Sequence, residues 1–417
     1  MIAKKYRKSK VFFVCLLMLF IACSREKTTQ TNSNQTVLLV SIDGFRWDYF
    51  EKCPTPNFDK LARKGVKAER LIPVFPTLTF PNHYSIITGL YPENHGIVSN
   101  YMYDPVKQDS FSIKRTEMMT KSHWWDGEPL WITAGKHGLR SASFFWVGSE
   151  TAISGVRPTI YKDYDSKIPG RTRIDTVLSW LDYPTSQRPQ FITLYFSFID
   201  HIGHTYGPES PEIVHAVSRM DSLIGYLVDG LGRIDDNVNT IILSDHGMAE
   251  TRSDRIIEVD DYIDLSDVVY ADWYTTSIVL PKAGKTDKLY NQLHNAHPHL
   301  KVFKKEHLPG RFHFKKNNRI HPLVLIADTG WEVMTRKEAE RRRQYKKIGG
   351  AHGYDNSDER MHGIFIAFGP AFRQGSRVSP FLNIHIYELV CKILGIVPAP
   401  NDGSLDSVKV VLKKFNR

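Results

Sequence analysis

FITLYFSFID, residues 191–200, is followed by PEIVHAVSRMDSLIGYLVDGLG, residues 211–232, and by NTIILSDHG, residues 239–247. The first and third are short apolar runs of the kind that form buried strands. In the middle stretch Ile213, Val217, Met220, Ile224 and Leu227 recur at helical spacing, and Gly230 or Gly232 can close the end. The three together predict a strand, helix, strand unit. TVLLVSID, residues 36–43, repeats the strand form, and from Thr36 onward apolar runs alternate with helix-like segments. That alternation predicts an α/β protein with a central, largely parallel sheet flanked by helices. Residues 270–345 interrupt it with YTTSIVL, KTDKLYNQLHNAH, HLKVFKK, HPLVLIAD and a strongly basic stretch, and are expected to form a small inserted α+β subdomain. The C-terminal NDGSLDSVKVVLKKFNR is expected to be peripheral.

The three strand-like runs are expected to end in Asp43, in Asp200, and in Asp245 with His246. Ligands of open α/β sheets bind beyond the carboxyl ends of their strands, so the three carboxylates converge if the strands are parallel. A lone strand-end aspartate more often caps a turn. Here DHIGHTYGP adds His204 four residues after Asp200, placing one ligand on a strand end and one on its loop, and GGAHGYDN adds His352 in a glycine-rich loop. Carboxylate and imidazole without thiolate suit a catalytic zinc site, with manganese or iron also compatible, and six such groups suffice for two metals.

VFPTLTFPNHYSIITGL, residues 74–90, supplies the reactive hydroxyl. Pro81 suits the first turn of a helix, so Thr79 stands at the helix entrance, where free N–H groups and the dipole favour an anion. Thr77 lacks that position. A threonine hydroxyl is nearly inert at neutral pH unless its pKa is lowered, and metal coordination does so. Thr79 is therefore the expected nucleophile.

The chain has 417 residues and a formal net charge of +10, half of it carried by Lys4, Lys5, Arg7, Lys8 and Lys10. These precede an apolar run, Val11 to Ala22, that is short for a bilayer span and suits a signal-peptide core. LFIAC resembles a bacterial lipoprotein cleavage box, so residues 1–22 are expected to be a leader and Cys23 a lipidated anchor. Residues 23–36 would be a flexible tether and residues 37–417 the catalytic domain of an exported protein of the bacterial envelope. Basic clusters such as RKEAERRRQYKK are expected to be solvated faces, without a nucleic-acid-binding module. Cys53 and Cys391 stay unassigned, because spacing alone does not show whether they pair.

Beyond these single motifs, SIDGFR, PTLTFPNHYSIITGLYPENHGIVSN, WWDGEPLW, FFWVGSE, DHIGHTYGP, MDSLIGYL, SDHGM and GAHGYDN follow one another in an order that resembles the nucleotide pyrophosphatase/phosphodiesterases of the alkaline phosphatase superfamily. The resemblance implies two zinc ions, one held by Asp200, His204 and His352 and the other by Asp43, Thr79, Asp245 and His246. It implies a hydrogen bond from Asn100 to a phosphoryl oxygen, and it makes Phe80 and Tyr164 the best of four candidate base-slot aromatics, ahead of Trp146 and Tyr161. It implies attack by Thr79 on nucleotide phosphodiester or pyrophosphate bonds, with release of a nucleoside monophosphate. Leu78 replaces a lysine found in some relatives. His83, His95, His201 and His362 are expected to be structural or hydrogen-bonding residues. A choline or lysophospholipid phosphodiesterase, a phosphomonoesterase and an inactive surface-binding lipoprotein are the competing readings.

Overall fold

The computed structural model describes residues 35–234, 237–345 and 347–413. The expected leader, Cys23 and the tether as far as residue 34 lie outside the described residues. The first strand, Thr36–Ile42, is buried along its whole length, so Thr36 belongs to the sheet and not to the tether. It pairs in parallel with Phe191–Phe196 on one side and with Val238–Leu243 on the other. A strand enclosed in this way reads as a continuous apolar run, which is what TVLLVSI is.

Eight strands make the central sheet, in the order Ser376–Val378, Val66–Ala68, Phe365–Phe368, Val238–Leu243, Thr36–Ile42, Phe191–Phe196, Ser141–Phe144, Ile160–Lys162. Phe365–Phe368 runs against both neighbours, and the remaining pairings are parallel. Side chains alternate between the faces. Val37 and Leu39 join one hydrophobic core with Ile241 and Leu243, whereas Leu38, Val40 and Ile42 join a second with Ile192, Leu194 and Ile242.

The helix Pro211–Leu231 lays Ile213, Val217, Met220, Ile224 and Leu227 into the second core, as their spacing predicts. Its start is fixed by Ser210, whose Oγ accepts from the Ile213 N–H, and by Pro211 at a position that needs no N–H. Gly230 lies inside the helix and Gly232 ends it. The short helix Thr79–Thr88 packs Tyr84, Ile86 and Ile87 into the first core and ends at Gly89 in the left-handed conformation.

A four-stranded antiparallel sheet, in the order Val268–Ala271, Thr276–Pro281, Leu323–Ala327, Leu300–Lys304, forms the inserted α+β part with the helix Thr286–Leu293. Leu289 and Leu293 of that helix pack with Val279, Val302 and Leu325 of the sheet in a third core. The basic stretch is the helix Arg336–Tyr345, in which Arg336 pairs with Asp261 and Arg343 with Glu258. Internal partners thus account for part of that charge run.

Two further expectations need correction. Asp200 does not end a strand: the strand stops at Phe196, and Phe198–Tyr206 is a helix that carries both Asp200 and His204. The C-terminal segment is not peripheral, since Val408, Val411 and Leu412 are buried in the first core. Asp402 also accepts hydrogen bonds from the Tyr91 N–H and the Asn94 side chain. Cys53 and Cys391 are both free, Cys391 deep in the first core.

Candidate active site

Parallel strands deliver Asp43 and the Asp245–His246 pair to one edge of the sheet, the first directly after Ile42 and the pair starting two residues beyond Leu243. The helix after the neighbouring strand brings Asp200 and His204, four residues apart and so on one helical face. Gly44 lets the chain turn above them: its φ is +66°, its N–H donates to Asp245 Oδ1 over 3.2 Å, and a Cβ there would stand 2.9 Å from Asp200 Cα. His352 arrives from the loop after the strand Ile348–Ala351.

Three imidazoles are held alike. Nδ1–H donates to a backbone carbonyl in each: His204 to Gly350 O, His246 to Gly247 O and His352 to Thr77 O, all at 2.8 Å. A ring fixed through Nδ1 offers the lone pair of Nε2 to a cation. Thr77, rejected as nucleophile, is structural: its Oγ donates to Tyr354 O and accepts from the Gly353 N–H, which ties the His352 loop to the Thr79 helix.

The donor spacings test the fit to metal. Tetrahedral zinc with bonds of about 2.0–2.1 Å sets its ligand atoms roughly 3.3 Å apart. His246 Nε2 lies 3.0 Å from Asp245 Oδ2, 3.5 Å from Asp43 Oδ1 and 3.2 Å from Thr79 Oγ. Asp200 Oδ1 lies 3.4 Å from His204 Nε2 and 3.7 Å from His352 Nε2, and the two Nε2 atoms are 3.1 Å apart. The groups adjoin, because the His246 ring stacks on the His352 ring at 3.6 Å and His246 also lies within reach of Asp200. Among the described residues, Asp43 Oδ1, Asp200 Oδ1 and Asp245 Oδ2 are buried and accept no hydrogen bond. Orphaned buried carboxylate oxygens facing imidazole nitrogens are donors arranged for cations.

The electrostatics agree. Burial, then Asp245 and Asp200, push the Asp43 carboxyl well above the usual range, against the hydrogen bond it accepts from Tyr195. Burial acts in the same sense on Asp245, but His246 and His83 overcome it and hold that carboxyl well below its ordinary value. His246 is raised: burial opposes its charge and Asp245 outweighs burial. His352 is lowered by burial and further by His246 and His204. Crowded like charges next to forced opposite ones are what bound divalent cations would relieve.

Thr79 opens its helix after Leu78, as expected, and its carbonyl accepts from His83 Nδ1–H at 3.0 Å. Asn100 is buried, and its Oδ1 accepts from the Phe80 N–H, which leaves the amide NH₂ as its donor. Beside this constellation opens a cavity of about 600 Å³ whose wall includes Thr79, Phe80, Trp125, Trp146, Glu150 and Tyr164. Tyr164 is 48% exposed and its hydroxyl lies 3.0 Å from Ser197 Oγ. Tyr161 is absent from that wall, and its ring lies under the Arg157 guanidinium.

His83 touches Asp245, Nδ1 to Oδ2 at 3.2 Å, and takes a hydrogen bond from Ser41 on Nε2. His95 meets Ser85 and His362 meets Asn356 O, while His201 lines the cavity from the exposed side of its helix. One residue went unnoticed in the sequence. The Tyr195 hydroxyl donates to Asp43 Oδ2 at 2.5 Å, and only the strand register, which sets Tyr195 opposite Ser41, places it there.

A hydroxyl at a helix entrance, facing two adjoining carboxylate and imidazole groups at the carboxyl edge of a largely parallel sheet, defines a hydrolase of the alkaline phosphatase superfamily. The chain belongs to the type I phosphodiesterase/nucleotide pyrophosphatase family, whose signature matches residues 37–355. It is 38% identical to human ectonucleotide pyrophosphatase/phosphodiesterase family member 5 over 97% of this chain and 83% of that protein. It is equally identical to a Xenopus laevis protein named bis(5'-adenosyl)-triphosphatase enpp4, over 97% of this chain and 87% of that protein. The murine member 5 structure superposes with a TM-score of 0.86 at 38% identity, over 91% of this chain and all of that one. The same murine protein has been solved as an inactive threonine-to-alanine variant in complex with AMP.

Proposed function

We propose that the protein is a two-zinc phosphodiesterase that cleaves nucleotide phosphodiester and pyrophosphate bonds through a phosphoryl ester on Thr79. The observation that carries this reading is the set of three buried carboxylate oxygens without hydrogen bonds, spaced with three Nδ1-anchored imidazoles and the Thr79 hydroxyl as tetrahedral zinc requires. Asp43, Thr79, Asp245 and His246 would hold one ion, and Asp200, His204 and His352 the other. Bound zinc would lower the pKa of a coordinated hydroxyl and offset charge on the phosphoryl oxygens.

The residues do the rest. Thr79 Oγ attacks phosphorus in line, forming an O–P bond as the bond to the leaving oxygen breaks. The Asn100 NH₂ and the Thr79 backbone N–H donate to the nonbridging oxygens. Water then attacks phosphorus from the side the leaving group vacated, the Thr79 ester bond breaks, and a nucleoside monophosphate leaves. The cavity beside Thr79 takes the nucleoside, with the base between Phe80 and Tyr164. The AMP complex of the murine relative supports a nucleotide as the substrate class. Export by a leader over residues 1–22 and lipid attachment at Cys23 complete the proposal.

The test is a side-by-side comparison of initial rates, with zinc present, on a p-nitrophenyl ester of thymidine monophosphate, ATP, p-nitrophenyl phosphate and p-nitrophenyl phosphorylcholine. Preference for the two nucleotides, with pyrophosphate released from ATP, is the expected result. Preference for the choline ester would move the substrate to lipid headgroups, and preference for the monoester would remove the phosphodiesterase reading.

A further inference from the structure

Asp43 has two carboxylate oxygens with different fates. Oδ2 accepts the Tyr195 hydroxyl at 2.5 Å, whereas Oδ1 is buried, accepts no hydrogen bond and lies 3.5 Å from His246 Nε2. Asp245 repeats the division: the Gly44 N–H takes Oδ1, and Oδ2 faces His246. A carboxylate beside other carboxylates would otherwise rotate, and rotation of Asp43 would exchange the free oxygen for the bonded one.

We propose that Tyr195 is a positioning residue for the metal centre, its hydroxyl fixing Asp43 so that Oδ1 alone is presented to the ion shared with Asp245, His246 and Thr79. This rests on the two-metal reading above. The ring is well placed for the task. It stands edge to face with His83 at 5.2 Å, the same histidine that touches Asp245, and 6.1 Å from Tyr164. Tyr195 also lines the cavity, so the side chain that orients Asp43 is itself part of the wall that would meet substrate. A displacement of the Tyr195 ring by an occupant of the cavity therefore acts on Asp43 through one hydrogen bond. Groups that orient a ligand in this manner typically alter metal affinity by 10–100-fold when removed.

Tyr195→Phe deletes the hydroxyl and keeps the ring. The measurement is zinc affinity of the full chain, wild type and variant, by competition with a chromophoric chelator. The expected result is two ions per chain in the wild type, and one of the two bound roughly 10–100-fold more weakly in Tyr195→Phe. Equal affinities in both proteins would overturn the inference and leave the two-metal reading standing. Fewer than two ions in the wild type would overturn the two-metal reading itself. Cobalt(II) substitution gives a second readout that does not depend on turnover. A changed ligand-field spectrum in Tyr195→Phe is expected, and an identical spectrum together with equal affinity would assign the hydroxyl a purely structural role. Circular dichroism of the metal-free proteins, expected to coincide, separates a loss of fold from a loss of ligand geometry.

Discussion

Gly44→Ala is the substitution whose cost follows most directly from the geometry. Gly44 sits at φ +66°, and a Cβ built there comes within 2.9 Å of both Cα and Cβ of Asp200 and 3.1 Å of its Oδ1. Holding an L-residue in the left-handed region costs about 1–2 kcal/mol. Carbon contacts at 2.9 Å lie well inside the favourable separation of about 3.5–4.0 Å, and forcing apart a packed region costs about 1–3 kcal/mol. Together these give about 2–5 kcal/mol, little reduced by the gain of about 0.4–1 kcal/mol from a stiffer unfolded chain. Relief requires Asp200 to retreat, which widens its spacings of 3.4 Å and 3.7 Å to His204 and His352 and weakens their joint hold on an ion. Urea unfolding of the metal-free protein reads the first effect, and zinc retained after dialysis reads the second. A Gly44→Ala protein with wild-type unfolding free energy and full zinc occupancy would refute this reasoning.

Acid should destabilise the metal-free fold through its buried neutral histidines. Burial lowers His95 to about 3, and His321 to about 4 with the help of Lys305. The unfolded chain, with histidines near 6.5, takes up those protons first, so stability present above about pH 6.5 falls as pH drops toward 3–4, at up to about 1.4 kcal/mol per pH unit for each histidine. Equilibrium unfolding against pH should show a shallower acid limb for His321→Phe, and an unchanged slope would contradict the assignment. Arg319 is buried, pairs with Asp104 and donates to the carbonyls of Gly96, His123 and Trp124, so Arg319→Met should cost about 3–5 kcal/mol in chemical denaturation. Tyr164→Ala and Phe80→Ala should each raise KM for nucleotide esters about tenfold with kcat little changed, from stacking worth about 1–3 kcal/mol per base; steady-state kinetics checks both.

Residue type and periodicity made the sheet legible, because a strand enclosed between parallel partners must be apolar throughout and its polar groups must collect at its end. Asp43, Asp245 and His246 followed from that rule. Asp200 escaped it: FITLYFSFID has no glycine or proline between strand and helix, only Ser197, so an apolar run offers no mark where one period yields to the other. A strand end and the first turn of the helix that follows both set Asp200 at the carboxyl edge of the sheet, so the residue reaches the cluster although its local structure was misread. The C-terminal segment misled through its lysines: Val408 and Val411 point inward while Lys409 pairs outward with Asp406. Tyr195 was beyond reach, since its meaning depends on which strand lies beside it.

The central claim is a covalent bond at Thr79. The most direct measurement is intact and peptide mass spectrometry of protein acid-quenched during turnover of the thymidine monophosphate p-nitrophenyl ester. The account predicts a thymidylyl adduct on Thr79 in the wild type, and no adduct with at least about a ten-thousandfold loss of rate in a folded Thr79→Ala variant. Near-normal turnover by that variant, or an adduct on another residue, would contradict it.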